Sequence, residues 1–141
     1  MNMAANHAMN AYKKVGTHVG ADTADPHQLI TMLFDGALER IAIAKGAIER
    51  GDIPQKGQRI GQTIAIIDGL RASLNKEAGG ELAENLDNLY AYMQQRLLEA
   101  NLHSDGKILD EVSSLIREIK TAWVAIPAEV RKRVPEMAIA Q

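Results

Sequence analysis

Cysteine is absent from the 141 residues. Disulfides and thiolate metal sites are therefore excluded, and a reducing compartment fits. Aromatic residues make up only 4%. The core must come from Ala, Leu, Ile, Val and Met, which favours helices over a β-sandwich or barrel. An excess of one charge sign is also missing: 16 basic residues face 18 acidic ones, a formal net charge of −2. Nothing in that balance calls for nucleic acid or an anionic membrane as partner. No run approaches about 18 apolar residues, so no membrane insertion is expected. The opening stretch, MNMAANHAMNAYKKVG, lacks a charged region followed by a long apolar run. It does not read as a signal peptide, and the expected location is the cytoplasm.

Catalytic and cofactor signatures are missing as well. The chain has no GxGxxG or GxxxxGK[ST] phosphate cradle, no HExxH, no Glu-x-x-His pair and no Gly-x-Ser-x-Gly elbow. His7, His18, His27 and His103 are scattered, and each reads as an ordinary exposed histidine. Asp35, Glu39, Asp87 and Asp110 sit among polar neighbours and read as solvated faces. No catalytic residue, metal or cofactor is expected.

What is present is helical periodicity over a length suited to one domain. Asp25-Pro26-His27-Gln28 combines a capping residue, a proline for the first helical position and a Gln at capping-box spacing. The pattern predicts helix A over about 26–50, stopped by Gly51. Its apolar residues include Leu29, Ile30, Met32, Leu33, Phe34, Leu38, Ile41, Ile43 and Ile48. They cover more than the stripe of about 100° that one buried face requires. Asp52-Ile53-Pro54-Gln55 repeats the cap chemistry and opens helix B, about 54–78, with Ile60, Ile64, Ile67, Leu70 and Leu74 on one stripe and Gly79-Gly80 as its end. Helix C, about 81–101, carries Leu82, Leu86, Leu89, Met93 and Leu97. Helix D, about 105–125, carries Ile108, Val112, Leu115, Ile119 and Trp123, and Trp123 is expected to pack in the bundle. Met32 and Met93 read as core filler. Gly36, Gly46, Gly57, Gly61 and Gly69 fall inside predicted helices, each about 1 kcal/mol worse than Ala. They admit two readings, close helix approach or a shallow groove.

Short connections between helices of similar length predict an all-α, antiparallel up-down four-helix bundle over 25–127. An N-terminal arm, 1–24, expected to be mobile, precedes it, and a C-terminal tail, 128–141, follows.

The stretch from Asp25-Pro26 through Ala47, with Leu33-Phe34-Asp35-Gly36-Ala37, resembles the FliS family of flagellin-specific export chaperones. So do IIDGLRASLNKEAGGELAENL, LYAYMQQRLLEANLHSD at 89–105 and the pair Ala122-Trp123. They occur in the family's order over about residues 12–126. Phe34 stands where the family more usually has Tyr, which keeps the ring and loses the hydroxyl. Tyr12, with Val15 three residues on, is similar to the family's N-terminal tyrosine.

The resemblance implies a cytoplasmic bundle that binds the disordered C-terminal segment of flagellin. It would hold that segment as extended and helical pieces, prevent premature polymerisation and deliver it to an export-gate component, without ATP. The surplus apolar face of helix A supports a partner site independently. The expected groove lies along helix A and its neighbour helix C, at Ile30, Leu33, Phe34, Ala37, Leu38, Tyr90, Met93, Leu97 and Asn101. Tyr12 and Val15 are the expected lid, and a monomer or weak dimer is expected. Two competitors share the fold class. A histidine phosphotransfer bundle needs a helix-face His beside a basic residue, and His27 has none close in sequence. A structural, self-assembling bundle needs only the apolar stripes.

Overall fold

The caps set the frame. Asp25 accepts from the Gln28 amide at 2.7 Å while the Gln28 side chain returns to the Asp25 N–H. This capping box, with Pro26 at the first position, starts α1, Pro26–Arg50. Gly51, at φ 71°, ends it in the left-handed conformation that glycine reaches without strain. Asp52 accepts from the Gln55 amide and starts α2, Ile53–Ala72. Asn75 caps α3, Lys76–His103, and Asp105 caps α4, Gly106–Val124. The structure, a computed structural model, describes residues 25–127. None of its helices is long and apolar enough to cross a membrane.

Helix B ends earlier than the sequence suggested, whereas the uninterrupted part of helix C begins after Gly80, at the expected Glu81. Ser73 is the C-cap of α2, and its hydroxyl donates to the Gly69 carbonyl at 2.8 Å. Asn75 then accepts from the Ala78 amide at 3.0 Å and opens a new helical turn. Gly79-Gly80 therefore does not end helix B. It is a kink inside α3, where Gly80 takes φ 55°, ψ −129°. Leu74 matched the α2 stripe by spacing, yet it reaches the core from the corner between the helices.

α1 packs on α2 and α4, α2 on α3, and α3 on α4, so the four close a ring with antiparallel neighbours. Their shared core includes Leu29, Leu33, Phe34, Ile60, Ile67, Met93, Leu97, Leu109, Val112 and Ile116. Helix C is thus not a neighbour of helix A but stands across the core from it. Short connections make each helix flank its sequence neighbours, and α4 closes the ring on α1. This also accounts for the wide apolar face of α1: a helix flanked on two sides as well as facing the core buries more than one stripe.

Polar contacts fasten the seams between helices. Between α1 and α4, Lys45 pairs with Asp110 at 2.8 Å and Lys120 pairs with Asp35. At one end, His27 Nε2 donates to the Trp123 carbonyl at 2.8 Å, and Trp123 Nε1 donates back to the His27 carbonyl at 3.0 Å. The two rings stack 4.8 Å apart, 9° from parallel. His27 is therefore a buried structural residue, not an exposed one, and Trp123 is half-buried beneath it. Between α2 and α3, Lys56 is buried and donates to the Asn101 carbonyl at 2.9 Å and the Ser104 hydroxyl at 2.7 Å. It satisfies the C-terminal end of α3, where Ser104 holds φ 50°.

Candidate partner-binding surface

The nine residues of the expected groove meet in one place, and that place is largely interior. Ile30, Leu33, Phe34, Ala37, Tyr90, Met93 and Leu97 are all at most 5% exposed and belong to one core cluster. Leu38 and Asn101 are half-buried. Burial pushes the Tyr90 hydroxyl pKa up. Stripe residues from helices facing each other across a bundle meet in its core, so as the chain stands only Leu38 and Asn101 are open to a partner. Tyr12 and Val15, the expected lid, lie outside the described residues.

The large apolar residues that are exposed lie on other elements: Ile53 on α2, Leu82, Tyr92, Leu98 and Leu102 on α3, and Val124 on α4. Leu98 and Leu102 are one turn apart, and Leu102 is 77% exposed. On α2, following Lys56, whose ammonium reaches the Asn101 carbonyl, Gly57 and Gly61 are also one turn apart. A methyl added at either would meet nothing within 4 Å. Close helix approach thus does not explain these two glycines, whereas Gly36 and Gly69 are buried. Gly57 and Gly61 thus leave bare backbone on α2, the helix that packs on α3, which carries Leu98 and Leu102. Asn101, whose backbone carbonyl is held by Lys56, lies between these leucines in sequence.

Polar residues hold this region in register. Gln94 donates to Asp68 at 2.7 Å and to the Ile64 carbonyl at 3.1 Å, and Arg71 donates to Gln94 at 3.0 Å. Asp87 receives Arg71 at 2.7 Å and Lys76 at 2.8 Å. These two hydrogen bonds, from Arg71 and then Lys76, hold its carboxyl below the usual range. Asp87 is therefore an anchor between helices and not part of a solvated face. On the α3–α4 side, Tyr92 and Arg96 both donate to Glu111 and hold that carboxyl below the usual range as well. Among the described residues, no group of three or more His, Asp or Glu could hold a metal ion.

A ring of four helices with apolar side chains left on its outside, and this order of motifs, can be compared with known proteins. The sequence model of the family described as flagellar protein FliS matches residues 8–130. The chain belongs to the FliS family. Similar members include the flagellar secretion chaperone FliSB of Pseudomonas aeruginosa, 52% identical over 88% of this chain and 98% of that protein. The flagellar secretion chaperone FliS of Vibrio cholerae is 44% identical over 86% of this chain and 90% of its own length. That of Salmonella typhimurium is 45% identical over 84% and 88%. FliS is a family of chaperones, not of enzymes.

Leu33, Phe34, Gly36, Ala37 and Tyr90, within the segments that resemble the FliS family, are buried and shape this chain from within. The residues sequence reasoning passed over are Leu98, Leu102 and Ile53. One signal could have found the two leucines: Leu98 and Leu102 lie one turn apart and off the α3 core stripe of Met93, Leu97 and Ala100.

Proposed function

We propose that this chain is a cytoplasmic flagellar secretion chaperone that binds the disordered C-terminal segment of flagellin, prevents its premature polymerisation and delivers it to the export gate. The observation that carries this reading is the likeness, over nearly the whole length of the curated relatives, to proteins named as flagellar secretion chaperones. The geometry supports it with apolar residues left on the outside of the bundle.

The client is placed on the accessible residues: Leu38 on α1, Asn101, Leu98 and Leu102 on α3, and the bare backbone at Gly57 and Gly61 on α2. α1 and α3 stand across the core from each other, so a client touching both wraps around the bundle. Such a path suits an extended, disordered segment, whose ordering opposes binding by about 2–5 kcal/mol and requires a large buried area. The buried residues Ile30, Leu33, Phe34, Ala37, Tyr90, Met93 and Leu97 support this surface from beneath. Tyr12 and Val15 act as a lid in the absence of client, and the free protein is a monomer or weak dimer.

The test is titration with a C-terminal flagellin peptide. Leu38→Glu, Leu98→Glu and Leu102→Glu, with thermal melts like that of the unmodified chain, should each weaken binding by more than about 1.4 kcal/mol, tenfold. If all three bind normally, the surface lies elsewhere. If the unmodified chain binds no flagellin peptide, the function itself is wrongly assigned.

A further inference from the structure

The first turn of α3 is a separate piece of structure. Asn75 opens it, accepting from the Ala78 amide at 3.0 Å through its side chain and from the Gly79 amide at 2.7 Å through its carbonyl. Gly80 closes it at φ 55°, ψ −129°, outside the helical region. A single turn does not hold itself together, because its few hydrogen bonds do not offset the ordering of its backbone. Apolar burial does not hold it either, since Lys76, Glu77 and Ala78 are exposed. What fastens the turn is Lys76, which reaches across the kink to Asp87 at 2.8 Å and toward Glu84 at 3.8 Å. The Lys76 side chain is half exposed, and such an ion pair is weak and sensitive to salt.

The same carboxylate is held from the other side. Arg71, at the end of α2, donates to Asp87 at 2.7 Å, so Asp87 stays in place whether or not Lys76 is on it. Leu74, just before the turn, packs against the core, and α3 is uninterrupted after Gly80. Residues 75–79 are thus fixed at both roots and loosely tied in the middle. Ala83 shows what lies beneath them. It stands one turn before Asp87 on the same face of α3 and is 0% exposed, yet it is outside the shared core cluster. Its neighbour in sequence, Leu82, is 54% exposed.

We infer that residues 75–79 form a hinged strap, which turns about Gly80, is held shut by the Lys76–Asp87 contact, and opens to uncover Ala83 while the four-helix core stays closed. Opening of this kind is local unfolding of a segment with few apolar contacts. It joins Ala83 to the exposed Leu82, so the corner between α2 and α3 presents two different apolar surfaces, the larger one favoured as salt rises. Glycine makes the closed form possible: a Cβ at Gly80 would meet no neighbouring atom, but an L side chain rarely adopts that φ. The strap lies at the other end of α3 from Leu98 and Leu102, and its motion does not depend on what the client is.

The lack of cysteine permits a direct test on the full chain. Ala83→Cys should react slowly with N-ethylmaleimide at about 0.05 M salt, and at least threefold faster at about 0.5 M. Lys76→Met should raise its rate at least fivefold at low salt and remove the salt dependence. Gly80→Ala, which disfavours the closed form through the backbone alone, should raise the rate by a similar factor. The control is Ala100→Cys, at a core position that is 0% exposed, whose labelling should not change with salt, Lys76→Met or Gly80→Ala. Ala83→Cys labelling as fast as that of an exposed thiol from the start, or unmoved by either variant, would overturn the strap. So would equal acceleration at both positions, which reports global unfolding.

Discussion

Replacing Lys56 by Met tests whether a buried ammonium fastens the end of α3. Met keeps most of the stem volume and removes the charge and the donors. Two acceptors lose their partner, the Asn101 carbonyl at 2.9 Å and the Ser104 hydroxyl at 2.7 Å. Hydrogen bonds from a charged group contribute about 1.5–3 kcal/mol, and a cation at a helix C-terminus about 0.3–1 kcal/mol or somewhat more when partly buried. Opposing them is the desolvation of the ammonium, which sometimes makes an apolar replacement neutral. Here the replacement leaves a helix-end carbonyl without its partner beside a residue that is only 6% exposed, so the loss outweighs the relief. A net destabilisation of about 2–3 kcal/mol is expected. For a chain of this size it lowers the thermal midpoint by about 8–12 °C. The midpoint is read by circular dichroism, with amide exchange at Leu102–Asp105 as the local measurement. A Lys56→Met protein that melts within 2 °C of the unmodified chain would refute this reasoning.

Trp123→Phe removes one hydrogen bond to the His27 carbonyl and shrinks the stack, and should lower stability by about 1–2 kcal/mol. Trp123→Ala should fall short of the roughly 3–5 kcal/mol of a fully buried Trp, because the ring is half-buried; denaturant melts check both. Gly57→Ala and Gly61→Ala place methyls in open space and should each raise stability by up to about 1 kcal/mol. The pair should also weaken flagellin-peptide binding by covering that backbone, measured by calorimetry. The depressed pKa of Asp87 adds stability that is present above its unfolded pKa and is lost as pH falls through the folded value. The stability difference between the unmodified chain and Asp87→Asn should therefore shrink from roughly pH 5 to pH 2, followed as melting midpoints against pH.

The helices were legible because their signals are local. Asp25, Pro26, Gln28 and Gly51 each act within one turn, and the period of the apolar residues fixed the rest. The α2–α3 corner was misjudged because Leu74 continued the stripe and Gly79-Gly80 offered the louder stop. Ser73 and Asn75 decided the matter through hydrogen bonds that any serine or asparagine can make or omit. The site was less legible. A stripe on a helix shows that a face is apolar, not whether a neighbour covers it. Leu33 and Phe34 are covered because α1 is flanked on both sides, whereas Leu102 is open because it lies off the α3 stripe. The His27–Trp123 clasp joins residues 96 apart in sequence, and no spacing rule reaches that far.

That clasp has a consequence during synthesis. α1 and α2 can pair as soon as both have left the ribosome, since their connection is short. The ring closes only when α4 returns to α1, which brings together His27 and Trp123, 96 residues apart. Contacts this distant along the chain must wait for the loop between them to be closed. A nascent chain therefore holds a finished hairpin with its apolar side uncovered until α4 has emerged, and it becomes a closed bundle late and in one step.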